Sequence, residues 1–194
     1  MSAAPRPDRR EVDIPVDGES IVGDLAVPQG ADAVVAFAHG SGSSRRSSRN
    51  RQVAAVLQAR GLATLLMDLL TPREEQLDLR TRELRFDIGL LAGRVAAAVD
   101  WLRSDRRTEE LPIGLFGAST GAAAALVAAA ERPETVASVV SRGGRPDLAA
   151  EHLPRVAAPT LLIVGGDDRP VIGMNETAMA KMTTEVELEI VPRA

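Results

Sequence analysis

Five short apolar segments limit most strongly how this chain can fold, because each is closed by glycine or polar residues. They are Ala33–Ala38, Ala63–Met67, Ile113–Phe116, Val136–Val140 and Thr160–Val164. Continuous apolar runs of this length are typical of strands buried on both faces. Apolar residues at helical spacing separate several of them, as between Ile88 and Leu102. Buried strands joined by helical crossovers predict a mostly parallel sheet covered by helices on both faces.

Three further strands complete the predicted sheet. Glu11–Val16 and Ser20–Val27 flank Asp17-Gly18, a dipeptide that favours a two-residue hairpin turn, and Val186–Val191 forms the last strand. The expected architecture is therefore an α/β fold, a three-layer α/β/α sandwich around a mostly parallel eight-stranded sheet. We expect one domain over residues 11–194 and a disordered tail over residues 1–10. Thr71–Arg82 is expected to be an irregular surface segment, and Asp147–His152 a short helix.

Composition and charge limit the chemistry, the ligands and the partners that can be expected of this chain. Cysteine is absent from the sequence, which excludes disulfides, thiolate metal sites and a cysteine nucleophile, and we expect no metal site. The net charge of −4 argues against general affinity for nucleic acid. We find no apolar run long enough to span a membrane and no apolar leader, so a cytoplasmic location without membrane contact is the default expectation.

The segment around Ser119 carries the clearest chemical signal. Gly117-Ala118-Ser119-Thr120-Gly121 stands between an apolar strand and a run of alanines, which predicts a tight strand-to-helix turn with the serine at its apex. Small residues two before and two after the serine let the strand and the helix approach closely. This context favours a nucleophile elbow, although the same string can also be a glycine turn that only eases packing.

The ends of two other strands carry residues that complement such a serine. Because the carboxyl ends of parallel strands meet at one edge of the sheet, His39-Gly40-Ser41-Gly42 and Asp167-Asp168 should lie near Ser119. The N–H groups of Thr120 and Ser41 are the expected oxyanion donors. We favour Asp168 as the triad acid, with Asp167 as the fallback and a helix N-cap as the alternative role of Asp168.

Substrate contacts are expected from the same edge. His39, Gly40 and Gly42 line the loop that would approach the substrate, and Arg142 follows a neighbouring strand. A structural ion pair is an equally good explanation of Arg142. The basic segment Arg45–Arg51 could clamp an anion, but we favour a solvated helix face there.

These motifs together resemble the α/β-hydrolase superfamily, and specifically its small dienelactone-hydrolase-like bacterial members. The similarity runs through the segments beginning at His39, Gly117, Ser141 and Gly165, and so covers nearly the whole chain. It implies a serine hydrolase that acts on a small-molecule acyl substrate, such as a carboxylic ester, without a dissociable cofactor. In that family His39 would be a structural residue of the oxyanion loop. The dienelactone hydrolases proper carry cysteine at the nucleophile, and serine here points to ordinary ester chemistry.

A triad of this kind also needs a histidine after the last strand. The sequence has two histidines, His39 and His152, and both precede Asp168. We therefore expect either a shortened form of a longer protein, which we favour, or a relative that has lost hydrolysis. On either interpretation the 194 residues alone should hydrolyse p-nitrophenyl acetate barely above background. A last strand with no helix over it could also pair with a second copy of the chain.

Two functions of other classes stay open. A non-catalytic binding protein would keep the pocket and lose the chemistry. A nucleotide-binding domain would use Gly114, Gly117 and Gly121, but their spacing is not that of a dinucleotide fingerprint and no Walker lysine is present.

Overall fold

The computed structural model describes residues 7–194. Its strands are β1 (Asp8–Val16), β2 (Glu19–Val27), β3 (Val34–Ala38), β4 (Ala63–Met67), β5 (Ile113–Ala118), β6 (Val136–Arg142), β7 (Thr160–Gly165) and β8 (Val186–Val191). Its helices are α1 (Ser48–Ala59), α2 (Pro72–Thr81), α3 (Ile88–Ser104), α4 (Thr120–Glu131) and α5 (Arg169–Met179). Short 3-10 turns lie at Leu84–Phe86, Pro146–Ala149 and Leu153–Arg155.

The strands form one eight-stranded sheet in the order β1-β2-β4-β3-β5-β6-β7-β8. The pairs β1–β2 and β2–β4 are antiparallel, and every other pair is parallel. The hairpin turn has φ 46° at Asp17 and 81° at Gly18, the positive values that its sequence predicts. The mostly parallel sheet predicted from the apolar segments is confirmed.

Helices cover both faces of this sheet. On one face α3 and α4 pack against each other and over the central strands, and α5 packs against β7 and β8. Most of the buried core lies here, including Val95, Val99 and the alanines of α4. On the other face α1 covers a smaller cluster that includes Phe37 and Phe116, whose ring centroids are 5.0 Å apart. The three-layer sandwich is therefore confirmed.

The expected N-terminal tail is shorter than residues 1–10. Asp8, Arg9 and Arg10 belong to β1 and pair with Val27, Ala26 and Leu25. The charged side chains of these three residues are exposed, so the alternation of apolar residues that marks a half-buried strand begins only after them. The rest of the expected tail, Met1–Arg6, lies outside the described residues.

Two surface segments also differ from expectation. Thr71–Arg82 is not irregular, because Pro72–Thr81 forms α2, and Thr71 and Glu74 close a capping box at its start. The short helix expected over Asp147–His152 is a 3-10 turn over Pro146–Ala149, and a second 3-10 turn follows over Leu153–Arg155. Pro154, at the second position of the later turn, cannot donate the hydrogen bond that an α-helix continued from Asp147 would need.

Candidate active site at the carboxyl edge of the sheet

Ser119 stands alone between β5 and α4 in a strained backbone conformation. Its φ is 52° and its ψ is −123°, a combination that side-chain-bearing residues rarely adopt. Such conformations cost about 1–3 kcal/mol and persist only where the surroundings enforce them. Two backbone N–H groups hold the Ser119 carbonyl, from Ala122 at 3.1 Å and from Arg145 at 3.2 Å. The serine is therefore fixed at the apex of a sharp turn.

The two glycines of the segment leave no room for side chains. A Cβ on Gly117 would lie 2.7 Å from the Ala122 backbone nitrogen, and one on Gly121 would lie 2.7 Å from the Ala38 carbonyl carbon. Both obstacles are backbone atoms, so neither can move aside as a side chain would. Gly117 lets the start of α4 fold back on β5, and Gly121 lets α4 pack against the end of β3.

The loop after β3 passes directly over Ser119. A Cβ on Gly40 would lie 3.1 Å from the Ser119 Cβ, so the two backbones are nearly in contact. Ser41 is exposed, and Gly42 has φ 72°, which turns the loop back on itself. Thr120 occupies the first position of α4, where backbone N–H groups lack a partner within the helix. The structure thus places the expected oxyanion loop and the residue after Ser119 side by side.

Arg45 anchors this loop, a role that the sequence did not reveal. Its backbone N–H and its Nη1 both donate to the Asp68 carboxylate, at 2.8 and 2.7 Å. Its Nη2 donates to Glu11 at 2.7 Å, and its Nε reaches Asp24 at 3.4 Å. The carboxylates come from β1, β2 and the end of β4, so one guanidinium ties three strands to the loop. Arg45 is therefore not the solvated side chain expected for the basic segment.

His39 is half-buried at the base of the loop. Its Nδ1 lies 2.9 Å from the carbonyl oxygen of Gly40. Burial lowers the pKa of His39 below its usual range, and the nearby Asp68 and Glu75 carboxylates partly offset that effect. His152 lies between the two 3-10 turns that follow β6. Within residues 7–194, neither imidazole forms a hydrogen bond with Ser119.

Asp168 follows β7 and is exposed. Its carboxylate accepts a 3.4 Å hydrogen bond from the Val171 N–H and so caps α5, the alternative role considered from the sequence. Asp167 is exposed beside it, and its N–H donates at 3.4 Å to the carbonyl of Ala194. Both aspartates lie at the carboxyl end of the sheet, two strands away from β5.

Arg142 is the last residue of β6 and pairs in register with Ala118, the residue before Ser119. Its Nη2 donates to Asn50 Oδ1 at 3.3 Å, and its guanidinium carbon lies 5.9 Å from the centre of the Phe116 ring. Burial and the nearby Arg49 lower the pKa of Arg142 below its usual range. A structural ion pair, the other explanation considered for this residue, is not formed within the described part of the chain.

A cavity of about 200 Å³ opens beside the loop. The loop itself, the residues after β4, α2 and Thr120 line it. The Thr120 Oγ1 atom is buried and has no hydrogen-bond partner among the described residues. Sequence reasoning missed the contribution of α2, although the capping-box pattern of Thr71 and Glu74 could have located that helix.

Comparison with known proteins assigns this chain to a family. A sequence profile of the dienelactone hydrolase family matches residues 21–192, so the chain belongs to that family. Among solved structures, a dienelactone hydrolase of Anabaena variabilis is 62% identical, with a TM-score of 0.96 over 97% of this chain and 88% of that one. The resemblance read from the motifs is thereby confirmed.

More distant structures share the fold. A cold-adapted esterase from an Arctic intertidal metagenomic library is 18% identical, with a TM-score of 0.75 over 99% of this chain and 90% of that one. Curated relatives in two strains of Mycobacterium tuberculosis are named provisionally as phosphoribosyl transferases and are 53% identical over 184 residues. The match covers 95% of this chain and 41% of each relative, so the chain spans about two-fifths of their length.

Two other kinds of feature, a membrane-spanning helix and a metal-binding cluster, are absent from the described residues. Across residues 7–194, no helix is long and apolar enough to cross a membrane. In the same part of the chain, no group of three His, Asp or Glu side chains is arranged to hold a metal ion.

Proposed function

We propose that this chain is a serine hydrolase of carboxylic esters, with an acyl-enzyme formed on Ser119, and that its turnover is slow because neither His39 nor His152 is placed to serve as the base. The observation that carries the proposal is the backbone of Ser119, which is held at φ 52° while the loop after β3 lies against it. Strain of this kind is maintained at functional sites because it presents a reactive group to the substrate. Membership of a hydrolase family and the esterase fold of distant structures support the same class of reaction.

The proposed first step is attack of Ser119 Oγ on the ester carbonyl carbon, with loss of the Oγ proton to a base. Because neither histidine forms a hydrogen bond with Ser119 within residues 7–194, solvent water accepts this proton in the chain as it stands, which makes the step slow. The C=O π electrons move to the carbonyl oxygen, which the N–H groups of Thr120 and Ser41 stabilise as it becomes negative. The tetrahedral intermediate then expels the alkoxide, which gains a proton and leaves as the alcohol. Water attacks the acyl-serine in the same way, which releases the acid and restores the Ser119 hydroxyl. The start of α4 adds favourable dipole charge at the oxyanion.

The other groups have supporting parts in this proposal. Asp168 has the position of the acid that orients an imidazole base, although both histidines of the sequence precede it. Gly40 and Gly42 allow the loop to approach the substrate, and His39 supports the loop from below. The cavity beside the loop would take part of a small acyl substrate.

The phosphoribosyl transferase name belongs to proteins more than twice as long as the matched region, and we do not extend it to this chain. A nucleotide-binding role is also less well supported than hydrolysis. The space at Gly117 and Gly121 is filled by the chain's own backbone, so a pyrophosphate could not lie against these glycines. A non-catalytic binding protein is the second candidate, because neither histidine contacts Ser119 within residues 7–194.

Labelling with a fluorophosphonate tests the nucleophile directly. We expect covalent modification of Ser119, detected by mass spectrometry of the tryptic peptides. The modification should be absent from Ser119→Ala. The matched control is Ser48→Ala, which removes the hydroxyl of an exposed serine at the start of α1. A wild-type protein that takes up no label would support the binding protein instead. Acetylation of Ser119 by p-nitrophenyl acetate provides the same test with an ester.

A further inference from the structure

The guanidinium of Arg142 lies near Ser119 and is paired with no carboxylate among the described residues. It is half-buried, its Nε is buried with no hydrogen-bond partner, and its polar contact in the described residues is the neutral side chain of Asn50. Arg45 and Arg145, by contrast, each pair with an aspartate at 2.7–2.8 Å. A partly desolvated charge without a counter-ion is unfavourable, so its retention indicates a group that completes it.

A second cation lies close to Arg142. Arg49, in the first turn of α1, contributes to the lowered pKa of Arg142 by charge repulsion. Asn50, only 2% exposed, lies between them on the chain and holds Arg142 in place through its Oδ1. On the neighbouring strand β5, the guanidinium of Arg142 faces the ring of Phe116, which carries no full charge. Arg49 precedes Asn50 in the first turn of α1, and Asn50 is hydrogen-bonded to Arg142, so two positive charges lie near the start of α1.

The pairing of β5 with β6 indicates how far Arg142 lies from Ser119. Arg142 pairs with Ala118 across β5 and β6, and neighbouring strands are about 4.8 Å apart. Its guanidinium then extends across β5 towards α1, over the ring of a residue three positions before Ser119. Three residues of a strand span roughly 10 Å. An anion held by Arg142 would thus lie on the order of 10 Å from Ser119, so a substrate that reaches both needs a linker of several bonds between its ester carbonyl and the anion.

We propose that Arg142, Arg49 and Asn50 form a binding site for a phosphate dianion, and that the substrate of Ser119 is an ester bearing a phosphate group. The second half of this inference rests on the proposed function, while the first half does not. Two guanidinium groups match the double charge and the several acceptor oxygens of a phosphate. A carboxylate would neutralise only one of them. The N–H groups in the first turn of α1 would add favourable dipole charge.

Binding of inorganic phosphate tests the site without any catalysis. Isothermal titration at constant ionic strength should show saturable phosphate binding that Arg142→Gln weakens at least tenfold, about 1.4 kcal/mol. Arg49→Gln should weaken it in the same direction. The matched control is Arg46→Gln, which removes an exposed charge three residues before Arg49 and should leave the affinity unchanged. Thermal unfolding of each variant verifies that the fold is intact.

Two results would overturn the site. Phosphate affinity that is equal in the wild type and in Arg142→Gln would show that the ion binds elsewhere or not at all. Acetate that binds as tightly as phosphate would show a site for a monoanion. Ser119→Ala should retain full phosphate binding, because the serine hydroxyl is not part of the cluster.

Turnover of a matched pair of esters tests the substrate class. 1,4-Butanediol monoacetate, whose linker is long enough to span this distance, is compared with the same ester carrying a phosphate on its free hydroxyl. We expect a kcat/KM at least tenfold higher for the phosphorylated ester, and Arg142→Gln should remove that preference. Equal rates for both esters would refute the phosphate-bearing substrate but not the role of Ser119 as the nucleophile. Phosphate binding without turnover of either ester would refute the proposed hydrolysis but not the phosphate site.

Discussion

At the scale of single residues, the strained backbone of Ser119 leads to a prediction that separates the effect of strain on stability from the reactivity of the hydroxyl group. Glycine adopts positive φ with little cost, so Ser119→Gly should relieve the strain of φ 52° and ψ −123°. We expect a gain of about 1 kcal/mol in the free energy of unfolding, or roughly 2–4 °C in Tm, together with loss of labelling by a fluorophosphonate. Calorimetry of the purified variant measures the gain.

Ser119→Ala is the control for that experiment. It removes the same hydroxyl but keeps the Cβ, so labelling should be lost while the Tm stays close to that of the wild type. If alanine stabilised the protein as much as glycine does, the gain would come from removing the hydroxyl and not from the backbone. If neither variant changed the Tm, the turn would be unstrained and the observation behind the proposed nucleophile would lose its force.

At the scale of elements, the loop after β3 depends on strands that are distant in sequence. Arg45→Ala removes charge-assisted hydrogen bonds to Asp68, Asp24 and Glu11 and leaves the half-buried Asp68 carboxylate without its partner. Bonds to charged groups contribute about 1.5–3 kcal/mol each, and we expect a loss of that order for the whole cluster because Glu11 is well exposed. Urea unfolding measures the change.

The same variant should also slow reaction at Ser119, because a loosened loop no longer holds its N–H group at the oxyanion. The rate of fluorophosphonate labelling should fall severalfold under conditions in which the variant remains folded. Arg46→Ala, at the exposed neighbouring position, is the control and should change neither stability nor labelling. A stable Arg45→Ala protein that labels at the wild-type rate would show that the loop needs no anchor.

Elements whose local sequence decides their structure were the ones predicted correctly. The central strands are apolar throughout, as in Ala63–Met67, where every residue is buried, and a pattern of that kind has few other solutions. Helix α2 was missed because Asp78 is its buried residue, so it has no apolar face to produce a helical period. The anchoring of Arg45 was missed because it requires β2 to pair with β4, a contact that no local pattern encodes.

At the scale of the whole molecule, the sheet has two free edges, β1 and β8. Glu187 and Glu189 are exposed on β8, and like charges along an edge oppose pairing with a second copy. Ile190 and Val191 are 40% and 38% exposed at the end of the same strand and would favour it. Association of two chains through β8 therefore stays a prediction, which size-exclusion chromatography with light scattering at several concentrations can decide.

The stability of the whole fold should fall as the pH is lowered through the range in which free histidine titrates. Burial lowers the pKa of His39, so between its unfolded value of 6.5 and its lower folded value the unfolded chain binds more protons than the folded one. Above 6.5 both states are neutral at this residue, and the contribution is fully present there. We expect urea midpoints to decline from about pH 6.5 downwards, and His39→Gln to flatten that decline. His152→Gln, which removes the second histidine from the turns after β6, is the matched control for the loss of an imidazole. A decline of the same size in His39→Gln would assign the acid sensitivity to other groups and would mean that His39 accepts a proton in the folded protein as readily as in the unfolded chain.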